Sequence, residues 1–213
     1  WYWGLVKGQY HADAAIKKAP RAAVRGKRQP AHLHHLLGVG DERSPSGASA
    51  GIGFTLDAEE AERLELSLDL FETVFREFQG SSWQGFGFAV QTYQKRAWPV
   101  LHWLRQLAHR HHRCIPVRLV KGAYWDSEIK HAQVEGHGGY PVFTRKANTD
   151  VSYIACARKL LANRAAFYPQ FATHNAHTIA AVTELAGDQQ WILAGRLRQD
   201  ASGRLGLEPI GTD

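Results

Sequence analysis

The chain has 213 residues, 44% of them hydrophobic and 22% charged, enough for one domain with a sizeable core. Its formal charge is +6, but residues 1–50 hold eight Lys/Arg against three Asp/Glu and so supply +5 of it. A basic excess confined to one terminal arm says little about nucleic-acid binding by the folded part. No run of about 18 apolar residues is present to span a membrane, and no signal peptide is visible.

Cys114 and Cys156 have neither CxxC nor metal spacing and read as two reduced core thiols. Methionine is absent, position 1 included, so the chain reads as a piece of something longer or as a sequence with disturbed ends. Residues 1–50 are basic and punctuated by Gly and Pro, with at most a weak helix over Ala14 to Val24, and are expected to be irregular. His32, His34 and His35 lack a carboxylate or Cys at ligand spacing and read as a solvated patch, not a metal site.

The texture changes at Ile52. Ile52, Phe54 and Leu56 alternate with smaller residues in a strand that ends at Asp57. The spacing then predicts a helix from Ala58 to about Phe78, with Leu64, Leu68, Phe71 and Phe75 on its apolar stripe and acidic residues in its first turn. A strand follows over Gly85 to Gln91. A second helix spans about Tyr93 to His112, with Trp98, Leu101, Leu104 and Leu107 inward and Pro99 expected to bend its start. Its histidines, His102, His109, His111 and His112, fit an exposed face and a C-terminal turn.

The third strand is the most informative. Val117, Leu119 and Val120 form an apolar run broken by Arg118 and Lys121, and Gly122 ends it. A buried strand rarely carries a cation without a partner or ligand. The turn Lys121-Gly122-Ala123 then presents Tyr124 and Trp125 past the strand's C-terminal end, where α/β folds place ligand chemistry. A polar helix of about 126–135 follows, then a Gly-rich loop, a helix over 150–163, a fourth strand over 170–173 and a helix over 175–186. Residues 188–213 show no pattern and are expected to be irregular.

Alternation of β and α at about 30-residue spacing means a parallel sheet. All four strands end in a polar residue: Asp57, Gln91, Arg118 with Lys121, and His174 with Asn175. Asp57 and Asn175 could be helix caps, a reading that does not account for Gln91 or Arg118.

Five stretches resemble the proline dehydrogenase domain of the bifunctional bacterial proline utilization A flavoenzymes. They are IGFTLDAEEAERLELSLDLFE, GFAVQTYQKRAWPVLHWL, IPVRLVKGAYWDSEIKHAQVEG, YPVFTRKANTDVSYIACARKLL and YPQFATHNAHTIAAV, which together span about residues 52–185. The resemblance implies a (β/α)8 TIM-type barrel, incomplete here with four or five strands, and FAD at the C-terminal ends of its strands. It also implies oxidation of L-proline to Δ1-pyrroline-5-carboxylate, with electrons passed to a membrane quinone. A cytoplasmic protein, peripheral at the inner membrane face, is implied as well, joined to the rest of a bifunctional polypeptide that includes an aldehyde dehydrogenase domain.

Carried over residue by residue, the resemblance implies catalytic roles for Arg118, Tyr124 and Asp57. Asp57, Gln91, Arg118, Val120 and Lys121 would surround the flavin ring, and Gly122, Ala123, Tyr124 and Trp125 would form the turn beside it. Thr144, Arg145 and Lys146 would hold the pyrophosphate and adenosine part. Thr173, His174 and Asn175 would contact the cofactor at a helix start. The family's substrate lysine, in a Lys-Leu-Ser-Ala pattern, has no clear counterpart: Lys17 and Lys18 lie at the expected distance without the surrounding pattern. Its carboxylate-binding arginine pair is also unmatched, because Arg196 and Arg198 have unlike surroundings. The expectation is therefore that this chain alone oxidises proline slowly or not at all. A non-catalytic remnant is the competing reading, and a basic nucleic-acid module a distant third.

Overall fold

The structure, a computed structural model, describes residues 53–187 together with residues 196–199 and 205–208. The readings made above for residues 1–50, including Lys17, Lys18 and the three histidines, lie outside the described residues.

Strand β1 (Phe54–Leu56) leads through a 3-10 turn (Ala61–Arg63) into helix α1 (Leu64–Glu77). Then come β2 (Phe86–Gln91), α2 (Ala97–His111), β3 (Ile115–Val120), α3 (Trp125–Val134), α4 (Lys146–Leu161), β4 (Phe167–Phe171) and α5 (Ala176–Ala186). The four strands form one parallel sheet in the order β1-β2-β3-β4, with Phe54 opposite Phe86, Phe88 opposite Val117, and Ile115 opposite Phe167. The β-α alternation thus yields the parallel arrangement the sequence predicts. Among the described residues this parallel sheet is an open arc of four strands, with β1 and β4 at its edges, and the barrel is not closed.

Packing explains the strand compositions. All six residues of β2 are buried, as expected for a strand covered on both faces, and its sequence is correspondingly apolar until Gln91. Gly87 is required there, because a Cβ would come within 2.6 Å of the Pro116 carbonyl on β3. In β3, Ile115, Val117 and Leu119 are buried, while Pro116, Arg118 and Val120 are half-buried. The strand therefore turns one face to the helices and the other, with its cation, to the open side of the sheet. Phe71 of α1 stacks on Phe86 at 4.7 Å between ring centroids and meets Phe88 edge-on at 5.2 Å. Leu101, Leu104 and Leu107 of α2, with Tyr153 and Leu160 of α4, complete the same core.

Several boundaries differ from the sequence reading. The long first helix divides into the 3-10 turn and α1, and Leu64 and Leu68 are only partly buried while Leu70 and Val74 take the core positions. Residues 93–96 are a turn, not helix, and Pro99 is the third residue of α2, in the first turn, where no intrahelical bond is lost. Trp98 is 50% exposed, not inward; the Lys159 ammonium sits 4.0 Å from its ring centroid. Helix α4 begins four residues before Asp150, and β4 runs over 167–171 with Pro169 inside it, not over 170–173. Where residues 188–213 read as irregular, β5 (Arg196–Gln199) and β6 (Leu205–Glu208) pair antiparallel. The Leu-Gly-Leu alternation of 205–207 is the sequence signal for that ribbon, too short to stand out. Both cysteines are free thiols, and burial pushes Cys156 up to about 11.

Candidate active site

The polar strand ends converge on one face of the sheet. Asp57 follows β1 and accepts from the Ala58 amide at 3.2 Å. Its Oδ2 lies 3.8 Å from Nη1 of Arg118, so an ion pair reaches across β2 from the first strand to the third. Both side chains are partly open, 22% exposed for Arg118 and 36% for Asp57. A half-solvated pair of this length contributes little to folding. Its consequence is geometric: a guanidinium fixed at the mouth of the sheet beside the β3 turn.

Gln91, the last residue of β2, is buried and has both ends of its amide occupied. Its Nε2 donates to the Glu59 carbonyl at 2.8 Å, and its Oε1 accepts from the Ala123 amide at 3.1 Å. Gln91 therefore supports the β3 turn from beneath. The neighbouring residues reinforce this: the Thr92 amide donates to Val120 O at 2.8 Å and the Tyr93 amide to Lys121 O at 2.7 Å. Gly122 is held at φ +145°, and a Cβ on it would stand 2.4 Å from the Tyr93 ring. The turn thus lies flat on a buried tyrosine with Gly122 and Ala123 exposed on its outer side. Tyr124 caps α3 and accepts the Glu128 amide on its carbonyl at 2.9 Å.

A second segment is tied to that turn. The Phe143 amide donates to Tyr93 O at 2.8 Å, and Trp125 Nε1 donates to Phe143 O at 2.9 Å. Gln94 and Val142 form an antiparallel bridge. Thr144, Arg145 and Lys146 follow, all exposed at the start of α4, whose N-cap Arg145 makes no side-chain capping bond. An uncapped helix start flanked by cations and a hydroxyl suits an anion. Lys121 and Lys146 meet on one carboxylate, that of Asp150, at 2.6 and 2.7 Å.

Past β4, Thr173 Oγ1 accepts from the Asn175 amide at 3.1 Å, and Asn175 Oδ1 accepts from Thr178 N at 2.9 Å. Asn175 is thus a helix cap, the plainer of the two readings open to it. His174 is exposed beside it.

Three residues of this region escape sequence reasoning. Tyr93 is 3% exposed, underlies Gly122, and has its phenol pushed up by burial. Asp150 has its carboxyl held below the ordinary range by hydrogen bonds from Lys121 and Lys146. Glu128 is buried on α3, accepts from the Ala61 amide at 2.5 Å, and is pushed up chiefly by burial. The i, i+4 spacing of Lys146 and Asp150 was a readable signal; the link to Lys121 was not.

Fold and site together define a parallel α/β protein of barrel type whose candidate site is a cation-lined face at its strand ends. The sequence profile described as Proline dehydrogenase matches residues 11–197, wider than the stretch quoted above, and the chain belongs to that family. It is 59% identical to the bifunctional protein PutA of Klebsiella aerogenes over 140 residues, which are 66% of this chain and 11% of that protein. A crystal structure of a proline utilization A mutant from Bradyrhizobium japonicum superposes with a TM-score of 0.65 at 56% identity, covering 67% of this chain and 15% of that one. Proline utilization A of Bdellovibrio bacteriovorus, inactivated by N-propargylglycine, gives 0.63 at 35% identity over 66% of this chain and 14% of that one. The chain thus spans about one ninth of the curated relatives it matches. Among the described residues no helix is long and apolar enough to cross a membrane.

Proposed function

We propose that this chain supplies the flavin-holding side of an FAD-dependent centre that oxidises L-proline to Δ1-pyrroline-5-carboxylate in proline catabolism. The observation that carries this reading is Arg118, fixed by Asp57 at the strand ends beside the flat Lys121–Trp125 turn. Bound FAD supplies the chemistry, accepting two electrons as hydride from the substrate.

The residues present fit that group. The turn over Tyr93 leaves an open, unbranched backbone surface at Gly122 and Ala123 that suits the approach of a flat ring. The uncapped start of α4, with Thr144, Arg145 and Lys146, suits a diphosphate. Arg118 and Lys121 place positive charge where a reduced ring gains negative charge. Asp57 holds the Arg118 guanidinium, and Gln91 holds the turn by the Ala123 amide. Val120 and the Gly122–Trp125 turn would lie around the flavin ring, and Tyr124 would border the proline pocket. Thr173, His174 and Asn175, the last also capping α5, would contact the cofactor from the β4 end.

The similarity to a relative inactivated by N-propargylglycine, a small secondary amino acid, supports a substrate of proline's class. The reading extends to a membrane quinone as electron acceptor, a cytoplasmic protein peripheral at the inner membrane face, and a longer bifunctional polypeptide with an aldehyde dehydrogenase domain. Titration of the chain with FAD tests it. Saturable quenching of flavin fluorescence, weakened in Arg118→Ala, is the expected result; flavin fluorescence unchanged by the protein overturns the reading.

A further inference from the structure

One carboxylate at this face serves two cations from different parts of the fold. Asp150 Oδ1 accepts from Lys121 Nζ at 2.6 Å and Oδ2 accepts from Lys146 Nζ at 2.7 Å, both lengths of charge-assisted bonds. Lys121 closes β3, whereas Lys146 opens α4. Lys146, Asp150 and Tyr153 fall at i, i+4 and i+7, one stripe of α4. That stripe also brings the buried Tyr153 ring beneath Lys121, its centroid 6.0 Å from Nζ, while the Tyr153 hydroxyl donates to Leu119 O at 3.3 Å. Lys121 is therefore held by a carboxylate and an aromatic face, both from α4. The bridge is 38% exposed on its acid side, so folding stability gives little reason for it.

The geometry points to Asp150 as a positioning residue that orders Lys121 and Lys146 together before the cofactor binds, so that the ring-side and linker-side cations are presented as one unit. This inference rests on the flavin reading above. Asp150 touches neither substrate nor cofactor in this role; it acts through the two lysines. Without it, two flexible ammonium side chains repel one another and must be ordered by the ligand itself, which costs affinity.

The sign of one measurement separates positioning from simple electrostatics. Asp150→Asn removes a negative charge beside an anionic ligand, so Coulomb attraction alone makes FAD bind more tightly. Positioning makes it bind more weakly, by about tenfold, the cost of ordering one or two long side chains. FAD titrations of the full chain, Asp150→Asn and Asp150→Glu, with a thermal melt of each, decide the matter. The expected result is weaker binding in Asp150→Asn at a nearly unchanged melting point, and recovery of most of the affinity in Asp150→Glu. Unchanged or tighter binding in Asp150→Asn overturns the inference. If Asp150→Asn does not fold, Asp150→Ser, which keeps an oxygen at that position of α4 but cannot reach both lysines, carries the same expectation. A parent chain that binds no FAD overturns the flavin reading itself, an outcome distinct from a parent that binds and an Asp150→Asn variant that binds equally well.

Discussion

Two arginines five positions apart serve opposite ends of the same sheet. Arg113 lies just before β3 and is 6% exposed; its guanidinium donates to the carbonyls of Phe78, Ser81 and Trp83 and packs 5.4 Å from the Phe75 ring centroid. Burial lowers its pKa. Arg118 lies within β3, keeps 22% of its side chain open, and faces a carboxylate. A guanidinium spent on backbone carbonyls that close α1 and the following loop is part of the scaffold. One that lies 3.8 Å from a carboxylate on the strand-end face, with part of its side chain open, is placed where a ligand would be met. From the sequence, Arg113 reads as the exposed end of a helix and so as an inert control for Arg118; the structure gives it the larger structural task.

The comparison breaks if the two sites respond alike. Arg113→Ala should have the largest effect on folding, a loss of about 2–4 kcal/mol, because it strips partners from carbonyls that are wholly or partly buried. Chemical denaturation measures this, and FAD affinity per folded molecule should stay near that of the parent chain. Gly122→Ala comes next. Its φ of +145° strains any side chain, and the new Cβ would stand 2.4 Å from the buried Tyr93 ring. A cost of about 1–3 kcal/mol is expected, together with loss of FAD binding, since the turn must lift off Tyr93. Normal FAD affinity in this variant would show that the turn is not part of the site.

How much of this was legible follows from distance along the chain. Apolar spacing marks α1, α2 and the strands, and the polar residues at 57, 91, 118 and 121 mark the site face, because both signals are local. Arg113 reads as no more than a helix end because its partners lie 30 to 35 positions away, and a cation after a helix is usually explained by the helix dipole. Lys121 and Asp150 were not linked for the same reason, at a separation of 29. The start of α4 was placed late because Lys146-Ala147-Asn148-Thr149 carries no apolar period, although Thr149 is buried. Strand β4 was shifted because Pro169 interrupts the pattern; a proline is tolerated there because β4 is an edge strand among the described residues.

Arg118→Ala sharpens the comparison from the other side. Its ion pair is long and half-solvated, so the loss in stability should be no more than about 1 kcal/mol. FAD binding should fall well out of proportion to that loss. The informative quantity is the ratio of affinity change to stability change, which should be high for Arg118→Ala and near zero for Arg113→Ala. Equal ratios would place both arginines in the scaffold.

The smallest effect expected has the opposite sign. Glu128 is 5% exposed on α3, and its carboxyl is pushed up first by burial and further by the charges of Glu60 and Glu62, against a hydrogen bond from the Ala61 amide. A carboxyl whose pKa is higher folded than unfolded binds more protons in the native state between those two values. Stability therefore falls as pH rises through that window, and the full penalty persists above it. In Glu128→Gln the amide oxygen can still accept from Ala61, while the amide nitrogen donates where a charge previously faced other carboxylates. The variant should be slightly more stable than the parent near pH 8 and lose that advantage as pH drops below the ordinary carboxylate range. Thermal melts at pH 4 and pH 8 measure the difference. A Glu128→Gln chain equally destabilised at both would mean that the carboxylate's charge beside the Ala61 amide is compensated, and that this corner belongs with Arg113 to the scaffold.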